Sequence, residues 1–412
     1  MFRTSILLTL SLSIIFSGCS RKAQKGIQSR TAEETQTIFE KPMPKRSNYF
    51  AFDLMRSLPS EGENLVFSPF SISAALAMTY AGARDQTMEE MSATLFFDAD
   101  QENFHLAYGQ YLEHLQEMAG DSIRLNIANR LWAHEGYHFL PSFFELIETH
   151  YGSSVREVNF RGPREPIRLD INEWVYQQTA ENIPDLIGEG VLTEDTRLVL
   201  VNAIHFFGRW MAEFDKDATR SDLFHNLDGS GSTADFMVRE GQYLYYGTER
   251  LQALEIPYQE GNFSMVVVLP SEHTSLEDFE GTFGAPGFFE VMQGLRHEKV
   301  LVSLPRFRAE TGFNLEEVLS DMGMPRAFTN RAEFSGMTGD DTLKIDKVIH
   351  KAMIDVQEGG TEAAAATAVV MIQKTSIDLD EPIRFQADRP FLFFLKENGY
   401  DSILFMGRVV GL

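Results

Sequence analysis

The chain has 412 residues, 43% of them hydrophobic and 23% charged, the balance of a soluble globular protein long enough to bury a large core. Its formal net charge of −24 argues against nucleic acid or heparin-like polyanions as partners, because phosphate and sulfate binding need clustered Lys and Arg. A single cysteine, Cys19, excludes an intrachain disulfide.

The first stretch, MFRTSILLTLSLSIIFSGCS, has a basic start at Arg3 and an apolar run from Ile6 to Phe16. That run is too short for a spanning helix and fits a signal peptide over residues 1–18. Ser17-Gly18-Cys19 resembles the lipobox of bacterial lipoproteins, which implies a lipid on Cys19 and a cell-envelope location, periplasmic or surface-exposed. A plainly secreted protein is the alternative. Residues 19–45, basic and then polar with Pro42 and Pro44, read as a flexible tether, and the folded domain spans 46–412.

Within that domain, Ser47–Leu58 has a capping serine and helical apolar spacing. Asn64–Thr87 places a strand before Ser68-Pro69 and an all-round apolar, hence buried, helix from Ser71 to about Gly82. Ile123, Leu125, Ile127, Asn129 and Leu131 alternate with polar residues as in a strand. HEGYH at His134–His138 matches the zinc-protease pattern HExxH in letters. That pattern works only on a helix, where histidines four apart share a face. Here strand periodicity precedes it, Gly136 lies inside it, and Pro141 opens the next helix, so a metalloprotease reading fails and no metal or other cofactor is expected.

A helix over Ile171–Ile187 is predicted, with Ile167, Ile171, Trp174 and Val175 on one face. Leu198–Trp210 reads as a buried strand, followed by strands at Leu251–Tyr258, Phe263–Pro270 and Lys299–Pro305. Gly281–Gly287 is a turn-rich connection, Asn314–Met324 is helical, and Pro390–Leu395 and Ser402–Val410 are two last strands. Strands and helices without regular alternation indicate an α+β fold with a mainly antiparallel sheet.

Between these elements lies Val348–Lys374. Val348–Val356 is a β-branched, apolar strand, and Gly359 and Gly360 follow as a hinge. Next comes TEAAAATAVVM, whose odd positions Thr361, Ala363, Ala365, Thr367, Val369 and Met371 share one face of an extended chain. Locally, this segment reads equally well as a loop running into an Ala-rich helix. The strings HKAMIDVQEGGTEAAAATA and FQADRPFLFFLKENGYDSILFMGRVVGL, at this spacing, resemble the hinge and C-terminal signature of the serpins, and the likeness extends over Ser47–Leu412.

The resemblance implies a serpin fold: a large, mainly antiparallel central sheet, smaller sheets, several helices and an exposed C-terminal reactive loop. It implies a suicide-substrate inhibitor of serine, and also cysteine, endopeptidases that inserts its cleaved loop into the central sheet. The protein would then be a monomer and no enzyme, with a protease as partner and a membrane contact only through its lipid. By the same resemblance, Ser68 and Ser71 bond with Asn202 and His350 under the sheet rather than forming a hydrolase triad, and no nucleophile-elbow motif surrounds either serine. Trp210 lies at the sheet top, and Glu358 pairs there with Arg306. The inserting hinge is Glu358, Gly359, Gly360, Thr361, Ala363, Ala365 and Thr367, with Gly359 adding mobility. Counting from the hinge puts the reactive bond at Lys374–Thr375. That suits trypsin-like or other Lys-cleaving proteases, with Val370 or Ile372 as elastase-type alternatives. A non-inhibitory serpin acting as a binding or storage protein is the second implied reading.

Overall fold

A computed structural model describes residues 30–59, 62–361 and 381–412. Cys19, Ala363, Ala365, Thr367, Lys374 and Thr375, with the signal segment, lie outside the described residues.

The chain opens with helix α1 (Ala32–Phe39) and α2 (Met43–Ser57), then strand β1 (Leu65–Phe67) and helices α3 (Pro69–Tyr80), α4 (Asp85–Leu95) and α5 (Gln101–Met118). Strand β2 (Ile123–His134), α6 (Pro141–Tyr151), β3 (Val155–Val158), α7 (Arg164–Gln178) and β4 (Leu198–Arg209) follow. A run of strands comes next: β5 (Arg220–His225), β6 (Gly231–Gly247), β7 (Leu251–Pro257) and β8 (Phe263–Pro270). Helices α8 (Leu276–Thr282) and α9 (Ala285–Gly294) precede β9 (Arg296–Pro305), β10 (Phe307–Asn314), α10 (Glu316–Met322) and α11 (Ser335–Thr338). The chain closes with β11 (Lys347–Gln357), β12 (Gly360–Thr361), β13 (Ile383–Gln386), β14 (Phe391–Glu397) and β15 (Ser402–Val409).

Among the described residues these strands form two sheets, and the fold is α+β. One has nine strands, ordered β1-β15-β14-β8-β7-β6-β9-β13 with β5 on β6. The other, which carries the hinge, has six, in the order β10-β11-β12-β4-β2-β3. The hinge-bearing sheet therefore has fewer strands than its companion, and its central pair β11–β4 is parallel.

Helix α3 is buried along its whole length between the sheets, as its all-round apolarity requires. Pro69 occupies its first turn, where the missing N–H costs nothing, and the Ser68 hydroxyl caps it by accepting from Ser71 N–H at 3.1 Å.

Three expectations are corrected. The tether reading fails over the described part, because Thr31 and Glu34 form a reciprocal capping box and start α1. Ile38 of α1 is buried, and Arg30 grips the buried Asp53 of α2 with two 2.8 Å bonds. The helix expected at Ile171–Ile187 is α7 and ends at Gln178. Ala180 and Glu181 turn left-handed (φ 52° and 66°), and Asn172 pins the return loop by accepting from Leu186 and Ile187 N–H at 3.2 and 2.8 Å. Ile183 and Ile187 look like further helical turns because that loop buries them. Gly281–Gly287 is mostly helical, being the end of α8 and the Pro286-led start of α9.

Candidate functional site

The seam between β11 and β4 is closed at one end and open at the other. Parallel pairing runs from Lys347↔Val199 to Ala352↔Ile204. Beyond it β12 lies between the two strands, pairing Val356↔Thr361 and Gln357↔Gly360 on one side. On the other side it pairs Gly360↔Arg209 and Thr361↔Gly208. The two-residue turn Glu358-Gly359 folds the chain back from β11 into this slot.

Backbone geometry dictates Gly360. Its φ is +145°, and a Cβ there would stand 2.0 Å from the Gly208 carbonyl oxygen and 2.7 Å from Arg209 Cα. The Gly359 carbonyl accepts from Trp210 N–H at 3.1 Å. The Trp210 indole donates to Gln357 O at 2.9 Å and stacks on Tyr258, centroids 4.5 Å apart. Tyr258 OH meets the Thr361 hydroxyl at 2.6 Å, and both side chains are fully buried. Burial pushes the Tyr258 pKa well above the phenol range.

Glu358 is buried at the mouth of the slot. Arg306 Nε donates to its carboxylate at 2.7 Å with Nη2 beside it, and the Thr219 hydroxyl donates at 2.6 Å. Burial alone would raise the Glu358 pKa, but the Arg306 and Thr219 hydrogen bonds outweigh it and hold the carboxyl below its usual range. Asp235 lies 3.6 Å from Arg306 on the far side. Thr219, Tyr258 and Gly208 escaped sequence reasoning because their roles depend on strands distant along the chain.

The second group lies under the closed end. His350 and Asn202 are register partners across β11 and β4. His350 Nε2 accepts from Ser68 N–H at 3.1 Å, so the ring proton is on Nδ1, 2.5 Å from Asn202 Oδ1. The Asn202 amide donates to Ser71 O at 2.7 Å and also reaches Asn129 Oδ1. Asn129, on β2, is a further member that sequence reasoning missed. Burial lowers the His350 pKa to about 3, keeping it neutral. The Ser68 hydroxyl donates to Leu404 O at 2.6 Å rather than to the imidazole, so no serine is activated and the group is a fastener, not a triad.

The HEGYH residues do not make the helical pair that a zinc protease needs. His134 ends β2, Gly136 turns at φ +98°, and α6 starts only at Pro141. His134 Nδ1 accepts from Phe160 N–H at 3.2 Å, a structural bond.

The profile of the family described as serpin (serine protease inhibitor) matches residues 45–412. The chain belongs to the serpin family. An uncharacterised serpin-like protein of Thermococcus kodakarensis is 39% identical over 371 residues, 90% of this serpin and 86% of that protein. Leukocyte elastase inhibitor of Sus scrofa is 38% identical, covering 87% and 97% of the two chains. The crystal structure of a thermophilic serpin, tengpin, in the native state is 27% identical with a TM-score of 0.81, covering 94% of this serpin and 97% of tengpin.

Proposed function

We propose that this serpin is a suicide-substrate inhibitor of serine endopeptidases, cut in the segment after Thr361 and trapping the acyl-enzyme by drawing that segment into the β11–β4 slot. The observation that carries this is β12, two residues of the hinge already seated between β11 and β4. With Thr361 facing inward, strand alternation would bring Ala363, Ala365 and Thr367 to the same face, all small enough to enter without a clash. The strand that would insert, from Gly360 in the slot to Lys374 at the proposed cut, has fifteen residues, and at ~3.3 Å each they span roughly 50 Å. A dozen new backbone hydrogen bonds at about 1 kcal/mol each supply on the order of 10 kcal/mol to distort the captured protease.

Lys374–Thr375 is the proposed reactive bond, and the target is a trypsin-like or other Lys-cleaving protease. Mixing the full chain with trypsin should yield a covalent complex that survives denaturing electrophoresis, with a new C-terminus at Lys374 by mass spectrometry. Cleavage without complex would mean a non-inhibitory serpin. Cleavage after Val370 or Ile372 would move the target class to elastase-like enzymes. We also propose a lipid anchor on Cys19. Cys19→Ala should free the protein from membranes and leave inhibition intact, and unchanged membrane association would refute the anchor.

A further inference from the structure

Asn398-Gly399 is the only Asn-Gly dipeptide in the chain, and it opens the turn between β14 and β15. Lys396, 3% exposed, places Nζ 3.0 Å from Asn398 Oδ1. The Asn398 amide nitrogen donates to Gly261 O and to Ser264 Oγ, both at 2.9 Å. An ammonium can only donate and a carbonyl can only accept, so these partners fix which end of the amide is oxygen. Glu397, 1% exposed, accepts from the backbone N–H of Gly399 and, at 3.0 Å, from that of Tyr400. Glycine is what permits this approach, since a Cβ on residue 399 would stand 2.7 Å from Glu397 Oε1. These contacts close the turn. They also put a base on a backbone nitrogen and a cation on the carbonyl of the preceding side chain.

We propose that this turn is a self-modification site, where Asn398 is converted to isoaspartate and aspartate and its hold on a neighbouring loop is lost. Glu397 takes the Gly399 N–H proton as that nitrogen attacks Asn398 Cγ. Lys396 stabilises the negative charge that develops on Oδ1. The Cγ–Nδ2 bond then breaks, and ammonia leaves with the proton from Glu397. Water opens the cyclic imide at either carbonyl, so the net change is water in and ammonia out. Nucleophile and electrophile sit on adjacent residues, which spares the entropy of bringing them together. The product has no donor for Gly261 O. It also adds a carboxylate where Lys396 already serves Glu255 and Asp401 at 3.3 and 3.0 Å. Asn398 ties down the Tyr258–Asn262 loop, through Gly261 O and through its own N–H on Asn262 O at 2.9 Å. Modification therefore loosens the loop that carries Tyr258, the partner of Thr361 in the slot.

Ageing the full chain at physiological temperature tests the site. The peptide Glu397–Arg408 is then followed by mass and by isoaspartyl methyltransferase labelling, with the same peptide free in solution as reference. The folded chain should lose the amide at least as fast as the free peptide. Its rate should stay nearly level between about pH 6 and 8, because a carboxylate rather than hydroxide takes the proton, while the free peptide's rate climbs with hydroxide. Glu397→Gln should slow the loss roughly tenfold or more, and the wild-type pH profile carries the test should that variant misfold. Asn398→Asp, which mimics one product, should melt below wild type. Slower loss in the folded chain than in the peptide, parallel pH profiles, an unchanged rate in folded Glu397→Gln, or an Asn398→Asp chain that melts with wild type would overturn the proposal.

Discussion

His350 and Gly360 show what single residues do to this sheet. His350 is neutral in the fold, with a pKa lowered by burial to about 3, whereas the unfolded chain protonates it near 6.5. Between those values the unfolded state binds more protons, so this contribution to stability is full above about pH 6.5 and is lost as pH falls toward 3. The limiting slope is about 1.4 kcal/mol per pH unit for one such group. His105, lowered to about 3 chiefly by burial, adds to it in the same direction. Urea midpoints should therefore fall from pH 7.5 to pH 5 in the wild type and fall less in His350→Asn. Parallel loss in both proteins would show that the Ser68–His350–Asn202 group does not set the acid sensitivity. Gly360→Ala tests the other end of the seam. Its Cβ would collide with the Gly208 carbonyl, so β12 should leave the slot and the Gly360–Thr361 segment should exchange amide hydrogens far faster. Unchanged exchange would place the hinge outside the slot.

Helix α1 carries a prediction at the level of elements. Eight residues make a marginal helix alone, so its stability must come from docking, through Ile38 and through Arg30 on Asp53. Asp53 is only 3% exposed on its side chain and shares its charge between Arg30 and Arg56. Arg30→Ala leaves that carboxylate with half its partners, at a cost of about 1–3 kcal/mol. The Tm should drop by a few degrees, with faster amide exchange across Ala32–Phe39. An unaltered Tm would return this segment to a tether. The signal for α1 was present in the sequence as Thr31-x-x-Glu34, but the polar composition and two prolines around it concealed the capping box. For α7 the reverse held. Its true end was hidden because Ile183 and Ile187 continue a helical apolar spacing while serving a loop pinned by Asn172.

At the scale of the whole molecule, the proposed mechanism takes its phase from Thr361, whose buried side chain would put every second following residue on the same face once inserted. A carboxylate at position 365 would then be buried without a partner, costing several kcal/mol in the step that competes with deacylation. If the proposed inhibition operates, Ala365→Asp should convert the protein to substrate behaviour, cleaved at the same bond but releasing active protease. Ala366→Asp, which strand alternation would put on the opposite face after insertion, should retain most inhibition. Cleaved wild type should melt well above the intact protein, and cleaved Ala365→Asp should gain less. Equal inhibition by the two variants would overturn the phase, and no gain on cleavage would overturn insertion itself.

Short-range periodicity determined the elements that bury one continuous face. Phe263–Pro270 is β8 from end to end, and Val348–Val356 lies within β11, because alternation and β-branching act between neighbours in the chain. The hinge glycines, the small residues after them and the failure of HEGYH as a helical motif were likewise legible in local strings, whereas the pair Glu358 and Arg306, 52 positions apart, came only from the family resemblance. What the sequence could not determine is where β11 and β4 part. The closed end depends on Ser68, Asn129, Asn202 and His350 from four separate elements, and the wedge depends on Gly208, Thr219 and Tyr258 meeting the hinge. Those contacts join residues tens to hundreds of positions apart. Their energies depend on distances that only the packed sheets create, and so the state of the seam was decided by the tertiary structure alone.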